Sequence, residues 1–471
     1  MQFSKLSGSH LNHLSLIVGA PFVFTDSEIM RTYSRDETED LEFFPEAVVK
    51  PRTPGEISEI LSLCNKERIP VTPRGAGTGL SGGALPVCGG VLLSMERFNK
   101  IIEIDERNLQ STVEPGVITE VFQNAVKEKG LFYPPDPASK GSCFIGGNIA
   151  ENAGGPKAVK YGVTRDYVLN LEAVLPTGEI IWTGANVLKN STGYNLTHLL
   201  IGSEGTLGII TKAVVKLIPH PAYDYLMFVP FASPEDACNA VSAIFRGGIT
   251  PSACEFIERD AFDYAFRYLG EEPLKIEKET GAVLILEVDG NHPDSLLRDC
   301  ERAAKIMEEY RCGEILFADS SEQKEKIWKV RKCMGLAVKG TTIYKEEDTV
   351  VPRALLPELL KRVKEIGKKY GFQSVCYGHA GDGNLHVNIV KGDTSDYDWQ
   401  HKLPSGITEI FELVVQLGGT ISGEHGIGWV QKPYFRIAID ETRMRIMKEI
   451  KMTFDPNNIL NPGKIFNLPL S

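Results

Sequence analysis

A chain of 471 residues is longer than one hydrophobic core usually supports, so two domains are expected and a third is open. The 62 Asp and Glu against 51 Lys and Arg give a net charge of -11, which speaks against generic binding to nucleic acid or anionic lipid but leaves room for a local basic pocket. The 9 cysteines are scattered and never spaced as CxxC, so no disulfide framework, zinc ribbon or iron-sulfur cluster is indicated, and a reducing compartment fits.

Residues 1–42 read as an N-terminal helical segment. The apolar stretch 14–24 is too short to span a bilayer, contains Pro21 and precedes no small-residue cleavage site, so it reads as a helix end and a strand. TDSE at 25–28 then opens a helix with a capping-box pattern. Residues 43–222 form a first domain, rich in glycine and in short β-like runs at 91–95, 171–175 and 208–217. From 223 to 430 strands expected at 225–231, 282–288 and 314–318 alternate with amphipathic helices at 294–311, 321–339 and 354–370, which predicts an α+β second domain. The tail, 431–471, holds a helix at 441–454 followed by DPNNILNPGK.

The run PRGAGTGLSGG, 73–83, contains GxGxxG at Gly77, Gly79 and Gly82. A Rossmann reading needs a helix after it, and the following GALPVCGG cannot start one because proline and repeated glycine interrupt every turn. Such a loop can instead turn backbone N–H groups toward a concavity and hold a pyrophosphate, with Arg74, Thr78 and Ser81 as added donors. The bland alternative is a flexible glycine loop. A second run, GSCFIGGNIAENAGGP at 141–156, allows close backbone approach to a large flat ligand, and a third, GSEGTLGII at 202–210, adds Glu204. Three such loops in one domain imply one extended cofactor.

HAGDGNLH, 379–386, and SGEHGIG, 422–428, place His379, His386 and the Glu424-His425 pair on short glycine-hinged segments. That composition suits a metal site with a catalytic base beside it, against two strand histidines bonded to backbone. If Asp382-Gly383 is a two-residue hairpin turn, His379 and His386 face each other directly across the strands.

Together PRGAGTGLSGG, GGNIAENAGGPKAVKYG, GSEGTLGII, HAGDGNLH, SGEHGIG and NPGKIF resemble the flavin-dependent oxidoreductases of the vanillyl-alcohol oxidase and p-cresol methylhydroxylase type. Within these the chain is similar to the group of D-lactate dehydrogenase, D-2-hydroxyglutarate dehydrogenase and the flavin-dependent subunit of bacterial glycolate oxidase, from about residue 25 to the end. The resemblance implies a two-lobed FAD-binding domain interrupted by an α+β cap (substrate) domain, with the C-terminal segment returning to the flavin. It implies that Arg74, Gly75, Ala76, Gly77, Thr78, Gly79 and Ser81 hold the pyrophosphate. Pro135, Gly146, Gly147, Asn148, Asn152 and Gly154 are expected to line the flavin, Glu204, Gly208 and Ile209 the nucleotide end, and Asn461 the ring. The first loop has no histidine and Cys143 recurs in untethered members, so noncovalent FAD is expected.

For the active site the resemblance assigns His379, His386 and Glu424 to a divalent metal, zinc first, and His425 to proton transfer. A 2-hydroxy acid can chelate such an ion, which acidifies its hydroxyl, while the Cα hydride passes to flavin. Arg331 is the expected partner of the substrate carboxylate, and Asn388, on the strand face of His386, an orienting group. Lys345 is the nearest basic residue to where dicarboxylate-using relatives place one, but it stands in YKEED, and Glu346 would repel a second carboxylate if it faces the pocket. This favours glycolate or D-lactate over D-2-hydroxyglutarate. A transferase of the alkyl-dihydroxyacetone-phosphate synthase type is the alternative from another class.

Without cluster cysteines, electrons must leave to an electron-transfer flavoprotein, an iron-sulfur subunit, a quinone or oxygen. No nucleic acid partner and no transmembrane segment is expected. The location implied is cytoplasmic, peripheral to the inner membrane only through a partner, with a homodimer left open.

Overall fold

The computed structural model describes residues 3–468. In a first small sheet Val23–Phe24, Ala47–Val49, Val91–Ser94 and Val71–Arg74 lie side by side in that order, the last three parallel. Parallel neighbours need a crossover, and the helix Pro54–Glu67 supplies it. Thr53 accepts the N–H of Glu56, and Pro54 opens the first turn, where a missing N–H costs nothing. Ile57, Ile60, Leu61 and Cys64 recur at helical spacing and pack on Val49, Val71 and Val91.

A second sheet is antiparallel, in the order Ile101–Asp105, Gln110–Val113, Ile209–Lys216, Val168–Val174, Ile180–Trp182. Phe122, Tyr133, Ile145 and Ile149 pack with its inner residues Val113, Leu171 and Ala213.

The largest sheet has seven antiparallel strands, ordered Leu316–Ala318, Tyr223–Phe231, Ala282–Gly290, Ala253–Glu258, Gln373–Gly378, Asn384–Val390, Tyr344–Val350. Two of its strands carry continuous apolar runs, LMFV at 226–229 and AVLIL at 282–286, because both faces are covered. Met227, Val229 and Phe231 point to one core with the helices Pro234–Arg246, Pro293–Glu308, Leu356–Tyr370 and Leu403–Gln416. Leu226 and Phe228 point to the other, with Arg259–Leu269 and Ser321–Thr341. The expected α+β layer is thus present, each element within a few residues of its sequence bounds.

The segment PKAVKYG bolts this sheet to the N-terminal part. Lys157 pairs with Glu287, Lys160 Nζ donates to the Asp289 carbonyl at 2.6 Å, and Tyr161 Oη donates to Asp289 Oδ1 at 2.8 Å. The tail packs on the first sheet: after the helix Glu441–Phe454, Leu460 bridges to Val71, and Asn461 N–H donates to the Val71 carbonyl at 2.7 Å. One detail at the N-terminus differs. Asp26, not Thr25, caps the helix Ser27–Tyr33, accepting the N–H groups of Glu28 and Ile29, since the extended backbone at 26 aims its carboxylate at them. Among the described residues no helix is long and apolar enough to cross a membrane.

Candidate active site

One cavity is lined by all three glycine-rich loops and closes on the Glu424-His425 pair. Arg74, Gly75, Ala76, Gly77, Thr78 and Gly79 form one wall, Gly146, Gly147 and Asn148 a second, and Glu204, Gly208 and Ile209 a third. Gly77 has a φ of 75°, and a Cβ there would collide with the guanidinium of Arg74, which folds beneath the loop. Arg74 is buried, and its Nη1 has no hydrogen-bond partner. A buried cationic donor without a partner, under a loop in which a Cβ at Gly79 would meet nothing, fits an anionic ligand such as a pyrophosphate.

Five expected flavin residues stand outside this lining. Ser81 uses its carbonyl to accept the N–H groups of Trp429 and Val430. Pro135 accepts from Gln123, and Asn152 ends the helix Ile145–Glu151 in a left-handed conformation while its Oδ1 accepts the Arg165 N–H. Gly154 gives Glu424 its room, a Cβ there lying 3.1 Å from Glu424 Oε2. Asn461 donates to the carbonyls of Gly83 and Glu204, at 3.0 and 2.8 Å, and so staples two of the loops together. In their place Pro137, Ala138 and Ser139 reach the cavity.

The histidine hairpin is not the expected one. Tyr377, rather than His379, is the residue opposite His386, and the strands are joined by a 3-10 turn at Ala380–Asp382. Gly383, at a φ of 78°, ends that turn, and a Cβ there would collide with the Val351 carbonyl, so the link is longer than an Asp-Gly turn. His379 still reaches the site from the turn: its ring centroid lies 5.4 Å from that of His386. Glu424 Oε1 is 3.3 Å from His379 Nε2 and 3.7 Å from His386 Nε2. One donor atom from each of the three lies within 4.8 Å of the others, a set that can hold a cation. His425 stacks on His386 at 5.4 Å.

Sequence reasoning missed the residues that aim this set. Glu255 interrupts the apolar strand Ala253–Glu258, a fully buried acid that accepts from His379 Nδ1 at 2.7 Å and pairs with Arg331 Nη2 at 2.6 Å. Asp348 Oδ2 accepts the backbone N–H groups of Gly423, Glu424 and His425 at 2.7, 2.7 and 3.0 Å, which holds the second motif in its bend. A charge inside an otherwise apolar strand was the signal available for Glu255.

The expected substrate residues are differently disposed. Arg331 spends two of its donors on Glu255 and lies 5.1 Å over the Tyr377 ring. Asn388 is fully buried beside His386 on one strand face, and neither polar atom of its side chain has a partner. Glu346 faces the histidines, 3.4 Å from His386 Nδ1, whereas Lys345 alternates to the other face and lies 4.0 Å from Glu39.

Four carboxylates around three imidazoles give the site a strong negative field. Burial pushes the His379 imidazolium down, but Glu255 and Glu424 outweigh it and lift the group to about 10. Burial would raise Glu424; His379 and His386 overcome that and draw it down to about 2. Burial holds His386 down at about 3, so it is neutral, the form that binds a cation. Burial, with Glu39, Asp348 and Glu424 near, lifts Glu346 to about 7 against the pull of His425. Burial lowers His425, and Asp348, Glu346 and Glu424 more than offset it.

Residues 45–184 match the FAD binding domain, and residues 220–465 match the FAD linked oxidases, C-terminal domain. Glycolate oxidase subunit GlcD of Bacillus subtilis (strain 168) is 41% identical over 457 residues, 95% of each chain. D-lactate dehydrogenase of Anaerostipes hadrus is 40% identical over 425 residues, 89% of each. The solved structure of p-cresol methylhydroxylase with substrate bound has a TM-score of 0.79 at 18% identity, over 98% of this chain and 96% of that one, and so shares the fold. The chain belongs to the FAD-linked oxidases, as an FAD-dependent oxidoreductase related to glycolate oxidase and D-lactate dehydrogenase.

Proposed function

We propose that the protein oxidises a small D-2-hydroxy acid, glycolate or D-lactate, to the 2-oxo acid, with a divalent cation, zinc first, held by His379, His386 and Glu424. The observation that carries this reading is that the cavity lined by the flavin loops ends on Glu424 and His425, one of them in the three-donor set. When bound, the flavin supplies a hydride acceptor and the cation a Lewis acid for the substrate hydroxyl. His425 takes the hydroxyl proton, and Asp348, Glu346 and Glu424 stabilise it once protonated. Asn388, whose amide is unpartnered, orients the substrate. Arg331 acts through Glu255, and Lys345, on the other strand face, has no part.

Glu346 facing His386 supports a monocarboxylate over 2-hydroxyglutarate, and the names of the two relatives agree with that class. FAD is held without a tether: Cys143 lines the cavity as a buried thiol whose ionisation burial makes harder. Electrons then pass to a separate acceptor, an electron-transfer flavoprotein, an iron-sulfur subunit or a quinone. Anaerobic mixing of the FAD-loaded protein with D- and L-2-hydroxy acids tests the reading. Bleaching of the flavin by glycolate or D-lactate, with L-lactate inert, is expected; no bleaching by any of them overturns it.

A further inference from the structure

Glu151 ends the helix Ile145–Glu151 and lines the flavin cavity. Its carboxyl fits because two glycines flank it: a Cβ on Gly83 would stand 3.0 Å from Oε1, and one on Gly426 would collide with Oε2. Oε2 is buried and has no hydrogen-bond partner. The neighbouring acid is provided for differently. Glu204 accepts the backbone N–H groups of Ile427 and Gly428 at 2.8 and 2.6 Å, and its Oε1 lies 3.1 Å from the same Cβ position on Gly426.

Two buried carboxyl groups that meet at the same position on one glycine cannot both carry charge at low cost. Glu204, with two N–H donors, keeps the anion, and Glu151, with none on Oε2, keeps a proton. The helix C-terminus under Glu151 disfavours a second anion further. Burial and then Glu204 raise Glu151 well above the ordinary carboxyl range, with Asp36 adding to them. Lys464 opposes, but its ammonium is engaged by the carbonyls of Gly83 and Leu85 and by Asn461 Oδ1.

We propose that Glu151 is a neutral carboxylic acid that donates its O–H to the ring of the bound flavin. Gly426, against which its carboxyl lies, adjoins His425, so the acid stands toward the reacting end of the cavity. A donor there stabilises the negative charge that the ring gains on reduction, whereas a carboxylate would oppose it.

The test uses FAD-loaded protein without substrate, so its outcome is separate from the hydroxy-acid reading. Glu151→Gln keeps a neutral donor and Glu151→Ala removes it. In Glu151→Ala the oxidised-to-reduced equilibrium should shift about tenfold toward oxidised flavin, a fall of about 30 mV in the two-electron midpoint potential. Glu151→Gln should stay close to the parent. The infrared spectrum of the parent should contain the carbonyl stretch of a protonated acid that Glu151→Gln lacks. An unchanged potential in Glu151→Ala, or a Glu151→Gln potential as low as that of Glu151→Ala, overturns the proposal. Where Glu151→Ala fails to hold FAD, the infrared band decides, and its absence from the parent overturns the proposal equally.

Discussion

Glu255 Oε1 and His379 Nδ1 meet at 2.7 Å in a place where Glu255 is fully buried. The carboxylate accepts from Nδ1 and directs Nε2 at Glu424; a cation at Nε2 would displace the proton that the two acids otherwise hold there, the arrangement in which an outer acid orients a metal-binding histidine. Glu255→Gln keeps the shape and removes the charge. Cation affinity should fall about ten- to a hundredfold, read by competition with a chelating dye, while flavin absorbance is retained. A variant that binds zinc as tightly as the parent removes Glu255 from this role.

His425 contributes to proton transfer and not to cofactor binding in this scheme. His425→Ala should stay yellow and lose substrate-driven flavin reduction by about a hundredfold or more in stopped-flow absorbance. Reduction at the parental rate would assign the proton to another group.

Chelation tests the proposed cation separately from the flavin. Dialysis against a strong chelator should abolish turnover with the FAD still bound, and added zinc should restore it. A metal-free sample, verified by elemental analysis, that still turns over would leave His379, His386 and Glu424 without the proposed task.

The glycine loops were legible in the sequence because backbone N–H groups are the ligands there, and a loop rich in glycine says so whatever its surroundings. The two histidine motifs were legible for a similar reason: few packing roles need that set of side chains. What sequence reasoning could not reach were partners set by long-range strand pairing. Glu255 meets His379 only because the strand Ala253–Glu258 pairs with Gln373–Gly378, and Asp348 meets the 423–425 backbone only by folding of an edge strand against a distant loop. The hairpin register failed on a single glycine: Gly383 closes a 3-10 turn, which displaces His379 from the position across from His386. Arg331 was assigned to the substrate carboxylate from its position in the family, and the buried acid that engages it lies 76 residues away.

Glu346 bears on which acid enters. It is a buried carboxyl 3.4 Å from His386 Nδ1, and above about pH 7, where it is ionised, a substrate with a second carboxylate would meet it as a like charge. Glu346→Gln should raise kcat/KM for D-2-hydroxyglutarate relative to glycolate by about tenfold, an effect of about 1.4 kcal/mol. An unchanged ratio would place the discrimination elsewhere.

The C-terminal tail depends on one buried pair. Lys451 Nζ donates to the carbonyls of Thr206 and Leu460, each at 2.8 Å, and pairs with Asp455, which also accepts the N–H groups of Ile459 and Leu460. Both side chains are buried. Lys451→Met removes one partner and leaves an uncompensated carboxylate with two orphaned carbonyls, at a cost of about 3–5 kcal/mol. Because Leu460 bridges to Val71 and Asn461 staples Gly83 to Glu204, the loss should also loosen the flavin. The urea midpoint, followed by release of flavin fluorescence, should fall accordingly. Lys451→Met combined with Asp455→Asn should recover part of the loss, since the stranded charge is gone. A single variant as stable as the parent would show that the tail is anchored by its apolar residues, Ile459 and Leu460, alone.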